Sequence, residues 1–357
     1  IEAVLRSYRA SPSPELRFGE GITRQRFDFL YSTMNKKSTC GAPFSSMFDN
    51  VEKMMSAISG YVYSCVCERF ERLCNVPYEY VSKLSPIELV QQGFCDPICV
   101  FVKGELHKKQ KIAEKRWRLI LPQGKIDEFI CRHLFYEMDQ EEILNHFVIP
   151  SKPGMGFEDR DIHEIWYNFI SFSGKKCDTD MSSWDWTVDE YDLALEAECR
   201  ILLLRASKRL ANCIRNWFYC LAHSVYCLSD GRLVDLRLYG IMKSGTKITS
   251  SGNSRIRFCN ACSVQIDLGI PLFGLFNGDD GIESYSEKLK EAYKLNGKIL
   301  KQINVCEKQF EFCSYIWTHN NCYPVSVFKS LGHLLLQRCV FTFVGVFVFD
   351  AGSQRCV

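Results

Sequence analysis

Apolar side chains recur at mixed three- and four-residue spacing over residues 51–73, which predicts one helix, weakened by Gly60. Residues 125–147, 159–172 and 189–210 carry helical patterns and predict three more. Residues 97–120 open on a strand-like apolar run and close on Leu119-Ile120, so strands bracket the polar stretch between them. Residues 151–157 form a Gly/Pro loop, and 211–239 are aromatic and apolar, with a Ser229-Asp230-Gly231 turn that suggests a hairpin. Ser244 to Asn253 reads as a small-residue loop running into a helix. The apolar run 268–276 leads into Asn277-Gly278-Asp279-Asp280-Gly281, where Asn-Gly and Asp-Gly pairs mark a hairpin tip. Residues 287–302 predict a lysine-rich amphipathic helix with a break near Asn296-Gly297, and 308–317 alternate like a strand.

Composition narrows the class. A chain of 357 residues has room for one large core or two to three subdomains, and 46% hydrophobic with 24% charged residues describes a globular protein. Net charge is only +2, so any grip on nucleic acid must come from local clusters. The 19 cysteines are odd in number and no signal peptide opens the chain, which points to reduced thiols in a cytosolic setting. Cys259 and Cys262 form a lone C-x-x-C in a helix-like stretch and read as packing residues rather than zinc ligands. The start at Ile1 suggests a piece of a longer product. No apolar run reaches the about 18 residues of a membrane span.

Candidate chemistry sits in four places. Between 103 and 118, Lys103, Lys108, Lys109, Lys111, Lys115, Arg116 and Arg118 face only Glu105 and Glu114, and a held set of cations suits phosphate oxygens. Asp178, Asp180 and Asp185 cluster where a strand gives way to a helix. The 240–247 stretch GIMKSGTK nearly matches a phosphate-binding loop, but its Thr and Lys are in the wrong order. His163 reads as an ordinary surface histidine. At the hairpin, Asp279 and Asp280 repel each other unless a cation joins them, and a divalent ion is the natural partner. An antiparallel sheet that brings Asp180 to Asp279 would make a site for two ions and in-line phosphoryl transfer.

The order DMSSWD, SGTKITSSGN, NGDD resembles motifs A, B and C of RNA-dependent RNA polymerases of positive-strand RNA viruses, and the flanking text is most similar to the sobemovirus and polerovirus-like group. DPICVFVKGELHKKQKIAEKRWRLI resembles that group's motif F, KPGMGF the loop before motif A, and FEFCS motif E. The resemblance spans residues 96–329. It implies an α+β right-hand fold: fingers with an N-terminal extension over 1–175, a palm over 176–190 and 240–316, a fingers insertion over 191–239, and a partial thumb with an atypical tail over 317–357. The palm would hold a central antiparallel sheet flanked by helices.

The resemblance also implies roles. Asp180 and Asp279 match the metal-binding aspartates, supported by Asp280, with two Mg2+ ions that Mn2+ can replace. Asp185, with Ser244, Gly245, Thr249 and Asn253, matches the group that binds the nucleotide and reads its ribose. Lys103, Lys115, Arg116 and Arg118 match the triphosphate contacts, and Phe312, Cys313 and Ser314 the turn that props the primer end. Motif D implies a lysine as general acid for pyrophosphate; Lys298 and Lys301 are the candidates, and Lys301 is preferred. Motif A departs by carrying Ser183-Trp184 where relatives often show Gly-Phe. The tail 339–357 has strand character and few charges where a helical thumb is expected, so truncation, a frame error or a foreign tail is expected there. Implied partners are RNA template, nascent RNA and NTPs, with a genome-linked protein primer and membrane-anchored replication proteins, in the host cytoplasm. Two rivals remain: a reverse transcriptase, which would exclude the 2′-hydroxyl that Asp185 and Asn253 invite, and an inactive remnant that only binds RNA.

Overall fold

The computed structural model describes residues 1–8, 13, 15, 19, 21–104, 109–328 and 330–331. The expected thumb tail therefore lies outside the described residues. The helices are α1 (Glu2–Ser7), α2 (Arg24–Ser32), α3 (Val51–Asn75), α4 (Lys125–Leu144), α5 (Asp159–Ser171), α6 (Glu190–Leu204), α7 (Lys208–Ala222), α8 (Thr249–Asp267) and α9 (Leu289–Leu295), with shorter helical turns between them. None is long and apolar enough to cross a membrane.

The expected α+β class with a central antiparallel sheet is what the structure shows. Four strands, β4 (Lys176–Met181), β7 (Gly274–Asn277), β8 (Asp280–Ser284) and β9 (Leu300–Cys306), pair in the order β7-β8-β4-β9, every pair antiparallel. Smaller sheets surround it. β1 (Ile98–Cys99), β5 (Tyr226–Cys227) and β6 (Leu233–Val234) form one, β2 (Phe101–Val102) and β3 (Leu119–Ile120) a ribbon, and β10 (Phe310–Phe312), β11 (Tyr315–Trp317) and β12 (Cys322–Pro324) another.

Alternation along the central strands feeds two cores, because successive side chains point to opposite faces. Cys177, Met181 and Phe276 join the large core of α3, α4, α6, α7 and α8. Leu275 and Ile282 turn the other way and pack with Ile165 and Phe169 of α5 and with Phe310, Phe312 and Trp317. Both faces of the sheet are thus covered, which fixes its register.

Three predicted elements are corrected. The helix expected over 189–210 is two helices: Arg205 takes a left-handed φ of 52°, and Ser207 caps the next helix by accepting from Leu210 N. The 287–302 helix ends at Leu295; Gly297 turns the chain at φ 72°, and pairing with β4 then draws Leu300 onward into β9. The strand at 308–317 is a hairpin whose tip is Cys313-Ser314, both at positive φ. The helix expected over 51–73 is α3, and its one non-helical residue, Ile58 with φ −135° and ψ 30°, lies two positions before Gly60. Cys259 and Cys262 are buried free thiols of α8, as a packing role requires, and His163 is exposed.

Candidate active site

Sheet register brings the expected acids together. Asp180 near the end of β4 lies opposite Asp280, the first residue of β8, while Asn277 pairs with Asp280 across the Gly278-Asp279 turn. Gly278 has φ 66°, which suits the first position of a two-residue hairpin turn. Asp279 therefore stands at the tip, beside Asp180 on the neighbouring strand.

The three carboxylates share one field. Burial pushes Asp280 up to about 7, with Asp279, Asp180 and Glu311 adding repulsion and Lys301 opposing it. Asp279 is exposed at the tip, yet desolvation by the surrounding protein raises its carboxyl; Asp180 adds to this, and a hydrogen bond to its own backbone, Arg118 and Arg257 oppose it. Burial likewise raises Asp185, helped by Asp279 and opposed by a hydrogen bond from Asn253 and by Arg118 and Lys103. Among the described residues no group of three or more His, Cys, Asp or Glu side chains is drawn together as a finished metal cage. The donor set nonetheless fits a hard divalent cation: carboxylate oxygens whose mutual repulsion such an ion relieves.

Lys301 reaches this cluster through a bulge. In the β4–β9 ladder Asp180 faces Gln302 and Met181 faces Leu300, so Lys301 is the extra residue, and its ammonium pairs with Asp180. Bulges re-aim side chains at sites of this kind. Lys298, the other candidate, is buried and committed to Thr187 O at 2.5 Å and to Asp192.

The loop before α8 locks onto the basic ribbon. Ser244 Oγ donates to Leu119 O at 3.1 Å. Gly245 lies so close to the ribbon's exit that a Cβ there would stand 2.7 Å from Pro122 Cα. Thr249 Oγ1 is spent inside the loop, on Lys243 O at 3.0 Å and Thr246 O at 2.7 Å. Asn253, buried in α8, accepts from Trp184 Nε1 at 3.0 Å and meets the Asp185 carboxylate.

Of the four expected triphosphate contacts, two approach the acids. Lys103 N donates to Arg118 O at 2.8 Å, and both side chains lower the Asp185 carboxyl. Lys115 sits exposed at a left-handed φ of 54°, and Arg116 pairs with Glu114 through Nε at 2.5 Å, a local contact that turns it to its own neighbour. Lys108 lies outside the described residues.

The β10–β11 tip abuts the acid hairpin. Asn277 Nδ2 donates to Cys313 Sγ at 3.3 Å, Phe312 is fully buried, and Ser314 O accepts from Val325 N at 3.0 Å. Asp178, on the same strand face as Asp180, is structural: Asn304 Nδ2 donates to it at 2.7 Å and Glu311 N at 2.9 Å.

Sequence reasoning missed the support behind the sheet. Arg257 of α8 is fully buried and donates to Thr179 Oγ1 at 2.9 Å, Glu283 Oε1 at 2.5 Å and Tyr293 Oη at 2.5 Å. Glu311, whose Oε2 accepts from Gln302 Nε2 at 3.3 Å, was also missed, although it sits inside the FEFCS stretch. A single arginine in a helix carries no periodic signal, and the strand partners that make it a hub are 78 and 26 residues away.

Facing carboxylates at the ends of the two central strands of an antiparallel sheet, a bulge-borne lysine and a basic ribbon are the parts that a cation-dependent phosphoryl transfer would need. A family model described as viral RNA-directed RNA-polymerase matches residues 32–165 and 196–316, and the chain belongs to that family. Its relatives include the replicase polyprotein P2AB of Southern bean mosaic virus (isolate Bean/United States/Arkansas), 33% identical over 351 residues, covering 92% of this chain and 35% of the relative. The replicase polyprotein P2AB of Southern cowpea mosaic virus is 34% identical over 85% of this chain and 32% of its own length. Protein P1-P2 of Pea enation mosaic virus-1 (strain WSG) is 31% identical over 89% of this chain and 27% of its own. The expected sobemovirus and polerovirus-like kinship is borne out, and the chain spans about a third of the length of these relatives.

Proposed function

We propose that this chain performs template-directed RNA synthesis, adding nucleoside monophosphates from NTPs to an RNA 3′-hydroxyl with release of pyrophosphate. The observation that carries the reading is the register that sets Asp180 opposite Asp280, with Asp279 at the adjoining tip. Asp180, Asp279 and Asp280 would hold two divalent ions, Mg2+ or Mn2+, whose chemistry is to acidify the attacking hydroxyl and neutralise the leaving group.

The chain's own residues do the rest. Asp185 and Asn253 meet the ribose 2′-hydroxyl as acceptor and donor, a group that DNA precursors lack. Lys103 and Arg118 offset the triphosphate charge from the ribbon side. Lys301 Nζ, held at the bulge, is placed to give a proton to the departing pyrophosphate oxygen. The Cys313-Ser314 turn props the primer end beside the acid hairpin.

In this reading the central sheet is the palm of a right hand, with fingers over 1–175 and 191–239 and a partial thumb from 317. RNA template, nascent RNA and NTPs are the direct partners. A genome-linked protein primer and membrane-anchored replication proteins in the host cytoplasm complete the setting.

The test is templated incorporation with Mg2+ or Mn2+, comparing the chain with Asp279→Ala. Incorporation that depends on the aspartate is expected, and its absence leaves the RNA-binding remnant as the reading. Ribonucleotides should be preferred to deoxyribonucleotides; the opposite preference would favour the reverse transcriptase.

A further inference from the structure

In a two-residue hairpin the amide of the first turn residue has no partner in the ladder, and leaving a buried amide unpaired costs about 1–3 kcal/mol. Gly278 N–H donates instead to Ser254 Oγ at 3.0 Å. Ser254 is fully buried in the second turn of α8. Its own hydroxyl proton is committed to Ser250 O at 2.8 Å, so toward the hairpin the oxygen acts only as an acceptor. Packing does not fix the tip, since a Cβ built on Gly278 would meet nothing within 4 Å. The other tether, Asn277 Nδ2 to Cys313 Sγ at 3.3 Å, ends on sulfur, a weaker acceptor. Meanwhile the preceding residue, Asn253, holds Trp184 and Asp185. Two consecutive residues of one helix thus reach the two acid-bearing segments.

We propose that Ser254 is a positioning residue that sets Asp279 and Asp280 at a fixed height against the Asp185–Asn253 pair. Its kinetic consequence rests on the polymerase reading above; the tether itself does not. Loss of the hydroxyl frees the tip while leaving the ribose-reading pair in place, so turnover falls and nucleotide affinity does not.

Ser254→Thr and Ser254→Val have nearly the same shape and differ in the hydroxyl, and Ser254→Ala adds no bulk. Three readouts on the full chain decide: amide exchange at Gly278, Mn2+ titration of the protein without nucleotide, and kcat with KM for NTP. In Ser254→Ala and Ser254→Val the Gly278 amide should exchange about tenfold faster, as expected for loss of one hydrogen bond to a buried group. Mn2+ binding should weaken, and kcat should fall roughly tenfold with KM nearly unchanged. Ser254→Thr should restore all three. Unchanged Gly278 exchange in Ser254→Ala, or equal losses in the threonine and valine variants, would overturn the proposal. If the bulkier pair fails to fold, Ser254→Ala decides alone. If the wild-type chain incorporates nothing, the polymerase reading falls, while exchange and Mn2+ binding still judge Ser254.

Discussion

Asp279 and Asp280 are neighbours in the chain but stand in different fields. Asp280 is enclosed and lies opposite Asp180, with Glu311 and Asp279 beside it, and its carboxyl is pushed up to about 7. Before any cation arrives it therefore holds a proton more readily than an ordinary aspartate. Asp279 stands at the exposed tip; burial and Asp180 raise its carboxyl too, but Arg118 and Arg257 oppose the rise there. Neutralising Asp280 removes less negative charge than neutralising Asp279. Asp279→Asn should lower kcat by roughly a hundredfold or more, the scale of losing one key electrostatic group at a reacting centre, and Asp280→Asn by roughly tenfold. Single-turnover incorporation at pH 7 ranks the two, and a more damaging Asp280→Asn would reverse the assignment.

At the scale of elements, much was legible because the signals are local. The Asn277-Gly278 turn, the apolar run into β7, the basic ribbon and the loop into α8 all declare themselves within about ten residues, where turn chemistry and periodicity operate. The failures share a cause. The lysine-rich stretch 287–302 reads as helix, yet pairing with β4 overrides that local preference from Leu300 onward. The bulge that aims Lys301 at Asp180 exists only in the pairing of strands whose residues lie 121 positions apart, so no local pattern announces it. Lys115 and Arg116 look like equals of Arg118 in the sequence, but among the described residues of the run Lys103 and Arg118 act on the Asp185 carboxyl while Arg116 pairs with Glu114.

The β10–β11 hairpin carries a further mark. Cys313 and Ser314 take φ of 55° and 62°, a turn that Asn-Gly would favour. Holding an ordinary L-residue there costs about 1–2 kcal/mol. Ser314 is exposed, so Ser314→Gly should relieve that strain without leaving a cavity. We expect it to stabilise the chain by about 0.5–1 kcal/mol after the greater freedom of an unfolded glycine is set against it. Urea denaturation checks this, and a lower midpoint for the glycine variant would show that the serine is favoured by contacts rather than tolerated.

Across the whole molecule, the sheet is enclosed by two cores and pinned by buried charge. Arg200, Glu196, Asp139 and Ser251 link α4, α6 and α8, and Arg255 adds Glu142 and Glu196 from the same helices. Such groups stabilise only while paired, and removing one partner of a buried pair typically costs about 3–5 kcal/mol. Two lysines, Lys152 and Lys243, are buried against backbone carbonyls rather than carboxylates. Lys152 Nζ donates to His146 O and Ile149 O, each at 2.7 Å, while its backbone joins the β7 edge through Phe276 O at 2.8 Å. Lys243 donates to Gly240 O. Burial pushes each ammonium down to about 7.

These lysines make stability depend on pH with a definite sign. Between about 7 and the unfolded lysine value near 10.5, the unfolded chain keeps the proton and the folded chain has released it. The unfolded state then binds more protons, so each lysine makes stability rise with pH, by up to about 1.4 kcal/mol per pH unit. Glu142, pushed up to about 7, acts in the opposite direction only below that pH, and Cys262, raised from 9.0 to about 12 by burial, only above about 9, since there the folded state retains the proton longer. The net slope is a balance, but the contribution of one lysine is a difference. Lys152→Met keeps the length of the side chain and removes the titration. The variant loses its two carbonyl bonds and should be less stable at every pH. Its deficit against the wild type should also shift steadily between pH 7 and 8.5, because only the wild type gains stability there through this site. Denaturant midpoints at pH 7.0, 7.5, 8.0 and 8.5 measure that difference. A deficit that grows with pH supports a lysine neutral in the folded chain, and a constant deficit would show that Lys152 stays charged beneath the sheet.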